Sequence, residues 1–172
     1  KVFIAANSYT GDTGTIYSVV RYGNVVGSRG SVVPLFAKQR SLGKLTITRP
    51  EMTRFLITLQ EGVDFVLKSL ESMVGGELFV PKIPACSVSD IANVVAPEVK
   101  WDTIGMRPGE KMHEILIPED EARNVLEFDD HFVVQPIQSF WGNKIGILGG
   151  RSCPENFRYA SNVNCESLNH EQ

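Results

Sequence analysis

Two arginines carry the side chains best suited to bind an anion. Arg54 lies in the sequence Met-Thr-Arg-Phe, and Arg107 opens the sequence Arg-Pro-Gly-Glu-Lys. A guanidinium group stays charged at any working pH and donates two parallel hydrogen bonds to one phosphate or carboxylate. An ordinary surface ion pair is the alternative role of an arginine, and residue type alone leaves both open.

A glycine-rich loop is the second place where the chain could bind a ligand. A β-branched run at 16–20 is followed by three glycines within residues 23–30, which predicts a buried strand that ends in a loop. Ligands of open α/β sheets bind where strands end, so Tyr22, Asn24 and Arg29 would face such a crevice. A permissive loop with Asn24 as a turn residue explains the same spacing.

Metal chemistry is not indicated by the acidic and histidine residues near Arg107. Glu110, His113 and Glu114 would share one face of a helix, but their spacing is not that of a His-Glu-x-x-His zinc motif. An exposed ion-pairing face is the ordinary explanation. The sequence therefore predicts no metal site.

Nucleophilic and disulfide chemistry are also not indicated. Ser28 and Ser31 lack the Gly-x-Ser-x-Gly context of a hydrolase nucleophile. The cysteines, Cys86, Cys153 and Cys165, are odd in number and show no Cys-x-x-Cys spacing, so neither a disulfide framework nor a zinc site is expected.

Composition excludes several classes of partner. The chain has 172 residues, 42% of them hydrophobic, and a net charge of −3, so it can bury a core and has no general attraction for nucleic acid or an anionic membrane. No apolar run approaches the ~20 residues that cross a bilayer, and the start of the chain has no signal-peptide layout. A soluble, cytoplasmic protein is expected.

Hydrophobic periodicity predicts an α/β protein. The predicted helices are residues 1–7, as the last turns of a longer helix, 31–42, 58–73, 87–96, 111–117 and the charged turn 118–124; the predicted strands are 16–20, 45–48, 77–81, 101–106 and 131–135. The helix at 58–73 has the strongest pattern, since its apolar residues recur at helical spacing. The helix at 31–42 follows the glycine loop, so its first N–H groups suit an anion. Residues 1–136 are predicted to form the folded domain and residues 137–172 an irregular segment.

Five stretches in order resemble one family. They are residues 20–34 (VRYGNVVGSRGSVVP), 52–55 (MTRF), 76–84 (GELFVPKIP), 107–114 (RPGEKMHE) and 126–130 (LEFDD). Over residues 1–159 the chain resembles nucleotide-sugar enzymes of the extended short-chain dehydrogenase/reductase family, of the polysaccharide-biosynthesis type. The resemblance implies the C-terminal part of a Rossmann-type protein with an interleaved small substrate-binding domain.

The resemblance also implies binding residues. Those matching the substrate contacts are Asn24, Thr46, Arg54, Arg107 and Tyr159, with the two arginines at positions that hold substrate phosphates. Those matching the wall of an NADP or NAD pocket are Tyr22, Val25, Val26, Gly27, Ser28 and Arg29. No catalytic residue of the family is matched.

The implied activity is dehydration of a UDP-N-acetylhexosamine, with UDP-N-acetylglucosamine as the expected substrate. In that reaction the cofactor takes a hydride from carbon 4, the ketone acidifies carbon 5, water leaves from carbon 6 and the hydride returns there with inversion at carbon 5. A retaining dehydratase, an epimerase of the same superfamily, and a UDP-sugar-binding module without chemistry are the alternatives. A homo-oligomer is expected of the full-length protein.

Two departures from the family bear on catalysis. The sequence contains neither the family's glycine fingerprint for a dinucleotide nor a Tyr-x-x-x-Lys motif, since Tyr17 is followed four residues later by Arg21. In the family the corresponding residues lie upstream of the position that matches Lys1. The chain is therefore expected to be the substrate-binding half and to be inactive alone.

Overall fold

The computed structural model describes residues 1–11, 13–137, 147, 149–163 and 166–168. Its helices are α1 (Val2–Ala6), α2 (Val32–Ser41), α3 (Leu59–Ser72) and α4 (Val88–Val95), with 3₁₀ turns at Asn7–Tyr9 and Glu119–Asn124. Its strands are β1 (Val19–Val20), β2 (Asn24–Val25), β3 (Leu45–Ile47), β4 (Thr53–Ile57), β5 (Leu78–Pro81), β6 (Ala85–Ser87), β7 (Trp101–Thr103), β8 (Ile115–Ile117), β9 (Val125–Glu127), β10 (His131–Val134), β11 (Arg151–Ser152) and β12 (Tyr159–Ala160). The predicted mixture of helices and strands is confirmed.

The chain folds into two compact units, each assembled from separated segments. The first unit comprises Lys1–Tyr22, Gln60–Lys82 and Leu116–Arg158. The second unit comprises Gly23–Leu59, Ile83–Ile115 and Tyr159–Gln172.

A mixed sheet forms the centre of the first unit. Its strand order is β1-β5-β10-β9-β11, with β1 parallel to β5 and the other neighbours antiparallel. Phe65 of α3 packs against Phe79 of β5 and Val133 of β10. The strand predicted at 131–135 is confirmed as β10, which lies between β5 and β9 in the sheet.

A buried carboxylate joins β1 to the turn between α3 and β5. Glu77 has no solvent exposure; it accepts hydrogen bonds from Ser18 Oγ at 2.6 Å and from the Gly75 N–H at 2.9 Å. The Val74 N–H also donates to Glu77 Oε1 at 3.3 Å. Because a buried polar group is tolerated only when it is hydrogen-bonded, these three donors allow Glu77 to hold the start of β1 in place.

Two small sheets and two helices form the second unit. One sheet has the order β2-β4-β6, and the other pairs β3 with β7 in parallel. The buried core includes Phe36 of α2, Leu45 and Ile47 of β3, and Ile91 of α4.

The predicted helices at 31–42, 58–73 and 87–96 and the strands at 45–48 and 77–81 are confirmed within one or two residues at each end.

The predicted helix at 111–117 is wrong. Residues 115–117 form β8, and His113 makes a parallel bridge with Thr53. The Met112 carbonyl accepts the Thr53 N–H at 3.0 Å, so this backbone bonds to a distant strand instead of to its own next turn. Glu110, His113 and Glu114 therefore do not share a helical face.

Two predicted strands are shorter than the pattern indicates. The strand expected at 16–20 begins only at Val19, because the side chain of Asn7 takes both backbone groups of Tyr17, at 2.8 Å each. Val19 and Val20 are half-buried, not fully buried on both faces. The strand expected at 101–106 ends at Thr103, matching the length of its partner β3.

Helix α3 buries a face other than its most apolar one. Its buried residues are Gly62, Phe65 and Ser69. The aliphatic residues that recur at helical spacing are exposed: Leu59, Val63, Val66, Leu67 and Leu70.

The described part of residues 137–172 contains little regular structure. It holds the two-residue strands β11 and β12, and residues 159–161 are buried. Gly142, Gly146 and Cys165 lie outside the described residues. The predicted division of the chain at residue 136 stays a prediction.

Candidate functional site

One cleft in the second unit gathers residues that the sequence places far apart. It has a volume of about 280 Å³. Asn24 reaches it from the start of β2, Thr46 from β3, Arg54 from β4 and Arg107 from the turn after β7. Four of the five predicted substrate residues therefore line one cavity.

The cleft has an apolar floor and polar residues around it. Phe36, Ile47, Met52 and Val88 line it and belong to the buried core. A pocket lined by apolar side chains with a few placed polar groups is typical of a small-molecule site.

Gly23 allows β2 to lie where it brings Asn24 to the cleft. A Cβ at this position would lie 2.4 Å from Phe55 Cβ and 2.7 Å from the Phe55 carbonyl oxygen. Only glycine permits this close approach of backbone to β4. The sequence predicts a glycine for a tight turn or an approach to ligand, and in the structure the approach is to a neighbouring strand.

Thr46 is held by a pair of hydrogen bonds from α2. Gln39 Nε2 donates to Thr46 Oγ1 at 2.9 Å, and the Thr46 N–H donates to Gln39 Oε1 at 3.1 Å. The hydroxyl therefore keeps a fixed place in the cleft and retains capacity to bond a ligand.

The two arginines of the cleft differ in what they contact. The Arg54 guanidinium donates to the carbonyls of Thr53 (2.7 Å), Lys111 (2.9 Å) and Met112 (3.2 Å), and its Nε lies 3.6 Å from Glu114 Oε1. The Arg107 side chain is exposed, and among the described residues its guanidinium has no hydrogen-bond or ion-pair partner. Arg107 is thus a cation of the cleft that the described residues leave free to bind an anion.

Two hydrogen bonds between Arg107 and Glu110 close the turn that carries Arg107. The Glu110 N–H donates to the Arg107 carbonyl at 3.1 Å, and Glu110 Oε2 accepts the Arg107 N–H at 2.9 Å. The predicted turn at 107–109 is confirmed. Glu110 also lines the cleft, and its carboxylate accepts the N–H of Arg107. Among the described residues no group of His, Cys, Asp and Glu side chains could hold a metal ion.

The N-terminus of α2, whose N–H groups are predicted to suit an anion, also brings the hydroxyl of Ser31 to the cleft. Ser31 is the N-cap of α2 and makes no capping hydrogen bond. Its Oγ is buried without a hydrogen-bond partner in the described chain and belongs to a residue that lines the cleft. The signal that could have found Ser31 is its position directly after the glycine loop and before an amphipathic helix.

The residues predicted to contact a dinucleotide lie elsewhere. Tyr22 belongs to the first unit. In the second unit Val25 ends β2 and is half-buried, and residues 26–29 form the exposed loop that follows. None of them is among the residues that line the cleft. An added Cβ at Gly27 would meet no other atom within 4 Å, so there is open space beside the backbone of this loop.

The loop at 25–29 does not make a complete dinucleotide site by itself. A pyrophosphate cradle needs glycines at fixed spacing before a helix, and the sequence contains no such spacing. The residues present therefore fit at most one wall of a nicotinamide pocket.

Tyr159 is placed in the core and not in the cleft. Its side chain is 1% exposed, and its ring lies against Phe55 at a centroid distance of 4.8 Å. Its predicted contact with substrate stays a prediction, and the structure gives it a packing role.

A second polar cluster lies beside the segment at 111–114. Thr53 Oγ1 contacts His113 Nδ1 at 2.8 Å and Ser161 Oγ at 2.7 Å. Ser161 Oγ accepts the Glu114 N–H at 2.9 Å and donates to the Thr53 carbonyl at 3.1 Å. These bonds connect His113 and Glu114 to Thr53 of β4, directly or through Ser161.

The thiol of Cys86 is unsuited to act as a nucleophile. It is buried next to the α4 helix start, and burial, with the nearby Asp90 carboxylate, raises the pKa of Cys86 to about 11. A thiol with this pKa stays protonated at neutral pH.

Within the part of the chain that the structure describes, no helix is both long and apolar enough to cross a membrane.

The fold and the cleft define an α/β protein with an apolar pocket, beside which lies an arginine that has no partner among the described residues. Residues 1–136 match the family model described as "Polysaccharide biosynthesis protein", and the chain belongs to this family. The resemblance and the fold class that the sequence predicts are confirmed.

Named relatives and a solved structure agree with this assignment. The chain is 45% identical over 172 residues to an inverting UDP-N-acetylglucosamine 4,6-dehydratase of Campylobacter jejuni, covering 95% of the chain and 52% of the relative. It is 40% identical over 139 residues to a UDP-glucose 4-epimerase of Rickettsia rickettsii, covering 77% of the chain and 40% of the relative. The X-ray structure of Pen from Bacillus thuringiensis superposes with a TM-score of 0.84 at 31% identity, covering 99% of this chain and 51% of that one. The chain thus spans about half the length of the curated relatives it matches.

Proposed function

We propose that this chain is the substrate-binding part of a UDP-N-acetylglucosamine 4,6-dehydratase that inverts carbon 5, an NAD(P)-dependent lyase of nucleotide-sugar biosynthesis for surface glycans or protein glycosylation. The observation that carries the proposal is the single cleft that brings Asn24, Thr46 and Arg107 together. The 45% identity to an inverting dehydratase supports the choice of reaction.

The charge and polarity of the cleft suit a nucleoside diphosphate sugar. Arg107 supplies a guanidinium without a partner among the described residues, and Ser31 supplies a buried hydroxyl at the N-terminus of a ten-residue helix. Both features favour an anion, because the guanidinium is charged and the helix end presents free N–H groups. The diphosphate is proposed to bind between them.

The polar and apolar parts of the cleft would share the rest of the ligand. Asn24 and Thr46 offer an amide and a hydroxyl for hydrogen bonds with hydroxyl groups of the ligand. Phe36 and Met52 offer apolar surface for a base or a sugar ring. The role of this chain is to bind and orient the UDP-sugar.

The bound cofactor would supply hydride transfer to and from the sugar. The loop at 25–29 is the part of this chain proposed to contact its nicotinamide end. Arg29 is exposed on that loop and adds a positive charge.

A second candidate function is epimerisation at carbon 4, which is favoured by the 40% identity to a UDP-glucose 4-epimerase. A UDP-sugar-binding module without chemistry is favoured by the absence of Tyr-x-x-x-Lys from the sequence. Incubation of a full-length protein that contains this chain with NADP and UDP-N-acetylglucosamine, followed by mass spectrometry, separates the three. Loss of water identifies a dehydratase, an isomer of equal mass an epimerase, and unchanged substrate the binding module.

Binding is tested by titrating UDP into the isotope-labelled chain and following amide resonances by NMR. We expect saturable shifts confined to residues of the cleft, and weaker binding by Thr46→Val. Arg40→Gln serves as the matched control, since Arg40 pairs with Glu98 on the surface at 2.5 Å and does not line the cleft. The absence of saturable shifts, or shifts outside the cleft, would overturn the proposal.

A further inference from the structure

Thr46 lines the cleft from the middle of β3, between two residues of the core. Leu45 and Ile47 are 0% and 1% exposed, so packing fixes the backbone of this strand. Thr46 itself is half-buried and lies among the residues that line the cleft. Packing does not set the direction of its hydroxyl proton, and that direction decides which ligand group the hydroxyl can bind.

The side-chain amide of Gln39 sets the direction of this proton. The Thr46 N–H donates to Gln39 Oε1 at 3.1 Å, and a backbone N–H can only donate. The amide oxygen of Gln39 must therefore face this N–H, which leaves Nε2 facing Thr46 Oγ1 at 2.9 Å. Because an amide NH₂ group can only donate, Thr46 Oγ1 is the acceptor in this bond.

The proton of the Thr46 hydroxyl is consequently directed away from Gln39. A hydroxyl has one proton and two lone pairs, and Gln39 uses one of the lone pairs. No acceptor for the proton is found among the described residues. Thr46 therefore presents a hydrogen-bond donor to the cleft, and a ligand oxygen that accepts a hydrogen bond would fit it.

Gln39 is itself held in place on α2. It lies three residues after Phe36, which is 2% exposed, so the two residues share the face of the helix that packs on the core. The Gln39 carbonyl accepts the Leu42 N–H at 3.0 Å at the end of the helix. Gln39 is not among the residues that line the cleft, so it would act on a ligand through Thr46.

We infer that Gln39 is a positioning residue, which keeps the Thr46 hydroxyl as a donor toward an acceptor oxygen of the ligand. The inference rests on the proposed function for its ligand. Its physical basis is preorganisation, because a hydroxyl already aimed at the ligand loses less freedom on binding than one that turns freely. Both the nucleoside and the diphosphate of UDP carry such oxygens, and the experiments below distinguish them.

Gln39→Glu reverses the polarity of the pair at nearly constant shape. An ionised carboxylate accepts the Thr46 N–H as before, but its second oxygen can only accept, so the Thr46 proton turns toward residue 39 and the cleft loses its donor. We expect Gln39→Glu and Thr46→Val each to weaken UDP binding by about three- to ten-fold. Ala37→Glu, at an exposed position of α2, adds the same charge and should have little effect.

A double-mutant cycle shows whether Gln39 acts through Thr46. Once Thr46→Val has removed the hydroxyl, Gln39→Glu should weaken UDP binding no more than Ala37→Glu does. A loss in that background as large as the loss in the wild type would show that residue 39 acts by another route and would overturn the inference. Thr46→Ser, which keeps the hydroxyl, should retain most of the affinity, and a loss equal to that of Thr46→Val would also overturn it.

Uridine identifies the ligand oxygen that Thr46 binds. Because uridine lacks phosphates, weaker uridine binding by Gln39→Glu assigns the acceptor to the nucleoside, whereas a loss confined to UDP assigns it to the diphosphate. Either pattern supports the inference, since Ala37→Glu accounts for the added charge. Unchanged binding of both ligands by Gln39→Glu would contradict it.

Hydrogen exchange tests the pair without any ligand. In Gln39→Met the Thr46 amide should exchange faster than in the wild type, because its acceptor is removed, whereas in Ala37→Glu it should not change. Unchanged exchange in Gln39→Met would overturn the inference. This measurement remains decisive if the wild-type chain fails to bind UDP, which would contradict the proposed function alone.

Discussion

The hydroxyl of Tyr159 exchanges two hydrogen bonds with the backbone of Ile83. It donates to the Ile83 carbonyl and accepts the Ile83 N–H, each at 2.9 Å. Ile83 lies in the connection between β5 and β6, so one phenol satisfies both backbone polar groups of a buried residue that lies outside the strands.

The substitution Tyr159→Phe should therefore lower the free energy of unfolding by about 1–3 kcal/mol, because it leaves a buried N–H and C=O unpaired. UDP affinity should not change, since Tyr159 does not line the cleft. Urea unfolding and a UDP titration measure the two effects, with the exposed Tyr9→Phe as the control. A loss of UDP affinity at full stability would instead support the substrate contact predicted from the sequence.

Replacing Arg107 should weaken binding of the diphosphate and leave the cofactor unaffected. A bidentate contact between guanidinium and phosphate contributes about 1.5–3 kcal/mol, so Arg107→Ala should reduce UDP affinity by about one to two orders of magnitude. Arg107→Lys should recover only part of it. Parallel titrations with UDP and NADP of a protein that binds both provide the measurement; a fall in NADP affinity alone would contradict the assignment.

The 172-residue chain should neither bind NADP tightly nor convert UDP-N-acetylglucosamine. The reason is that its sequence has no phosphate-cradling glycine motif and no tyrosine–lysine pair for proton transfer. Calorimetry with NADP and mass spectrometry of the products test this. Turnover by the purified chain would show that catalysis relies on other residues.

The exposed aliphatic face of α3 should cause self-association. Val66, Leu67 and Leu70 are 41%, 54% and 63% exposed, and contiguous apolar surface of this kind favours association. The double change Leu67→Lys and Leu70→Lys should shift the chain toward monomer in analytical ultracentrifugation. Leu42→Lys, which changes one exposed apolar residue after α2, should have little effect. A wild-type chain that is monomeric at high concentration would contradict this expectation.

Acid should destabilise the first unit through Asp130. Burial alone would raise its pKa, but hydrogen bonds from Lys68 and His131 outweigh burial and lower the pKa of Asp130 from 3.8 to about 2. A carboxyl with a depressed pKa in the folded state stabilises above its unfolded pKa and loses that contribution as pH falls through the folded value. Stability should therefore fall between about pH 4 and pH 2, and in Asp130→Asn this part of the fall should be absent from thermal unfolding curves.

Local signals account for the elements that the sequence predicts correctly. Ser87 caps α4, and its Oγ accepts the Asp90 N–H at 3.0 Å, an interaction that depends only on neighbouring residues. The helix α3 is likewise predicted by its spacing. Which of its faces is buried is not predicted, because that depends on the sheet on which Phe65 packs.

Long-range bonds account for the elements that the sequence predicts wrongly. The segment at 111–114 has a helical pattern, yet Arg54 and Thr53 hold it in extended form through its carbonyls. Arg54, Arg107 and Asn24 stand out from residue type and position alone, whereas Thr46 is predicted only from the resemblance to the family. Ser31 lies in the family stretch at 20–34 but is not matched to a ligand contact. The bonds of Arg54 to the carbonyls of Lys111 and Met112 depend on contacts between distant residues, which no local pattern contains.

The alternation of the chain between its two units has a consequence for its synthesis. The chain passes from one unit to the other at 22–23, 59–60, 82–83, 115–116 and 158–159. Strand β1 cannot pair until β5 has left the ribosome, a wait of several seconds at about 5–20 residues per second. The first unit is complete only when residue 158 has emerged, so neither unit corresponds to a continuous stretch of the gene that could be expressed alone.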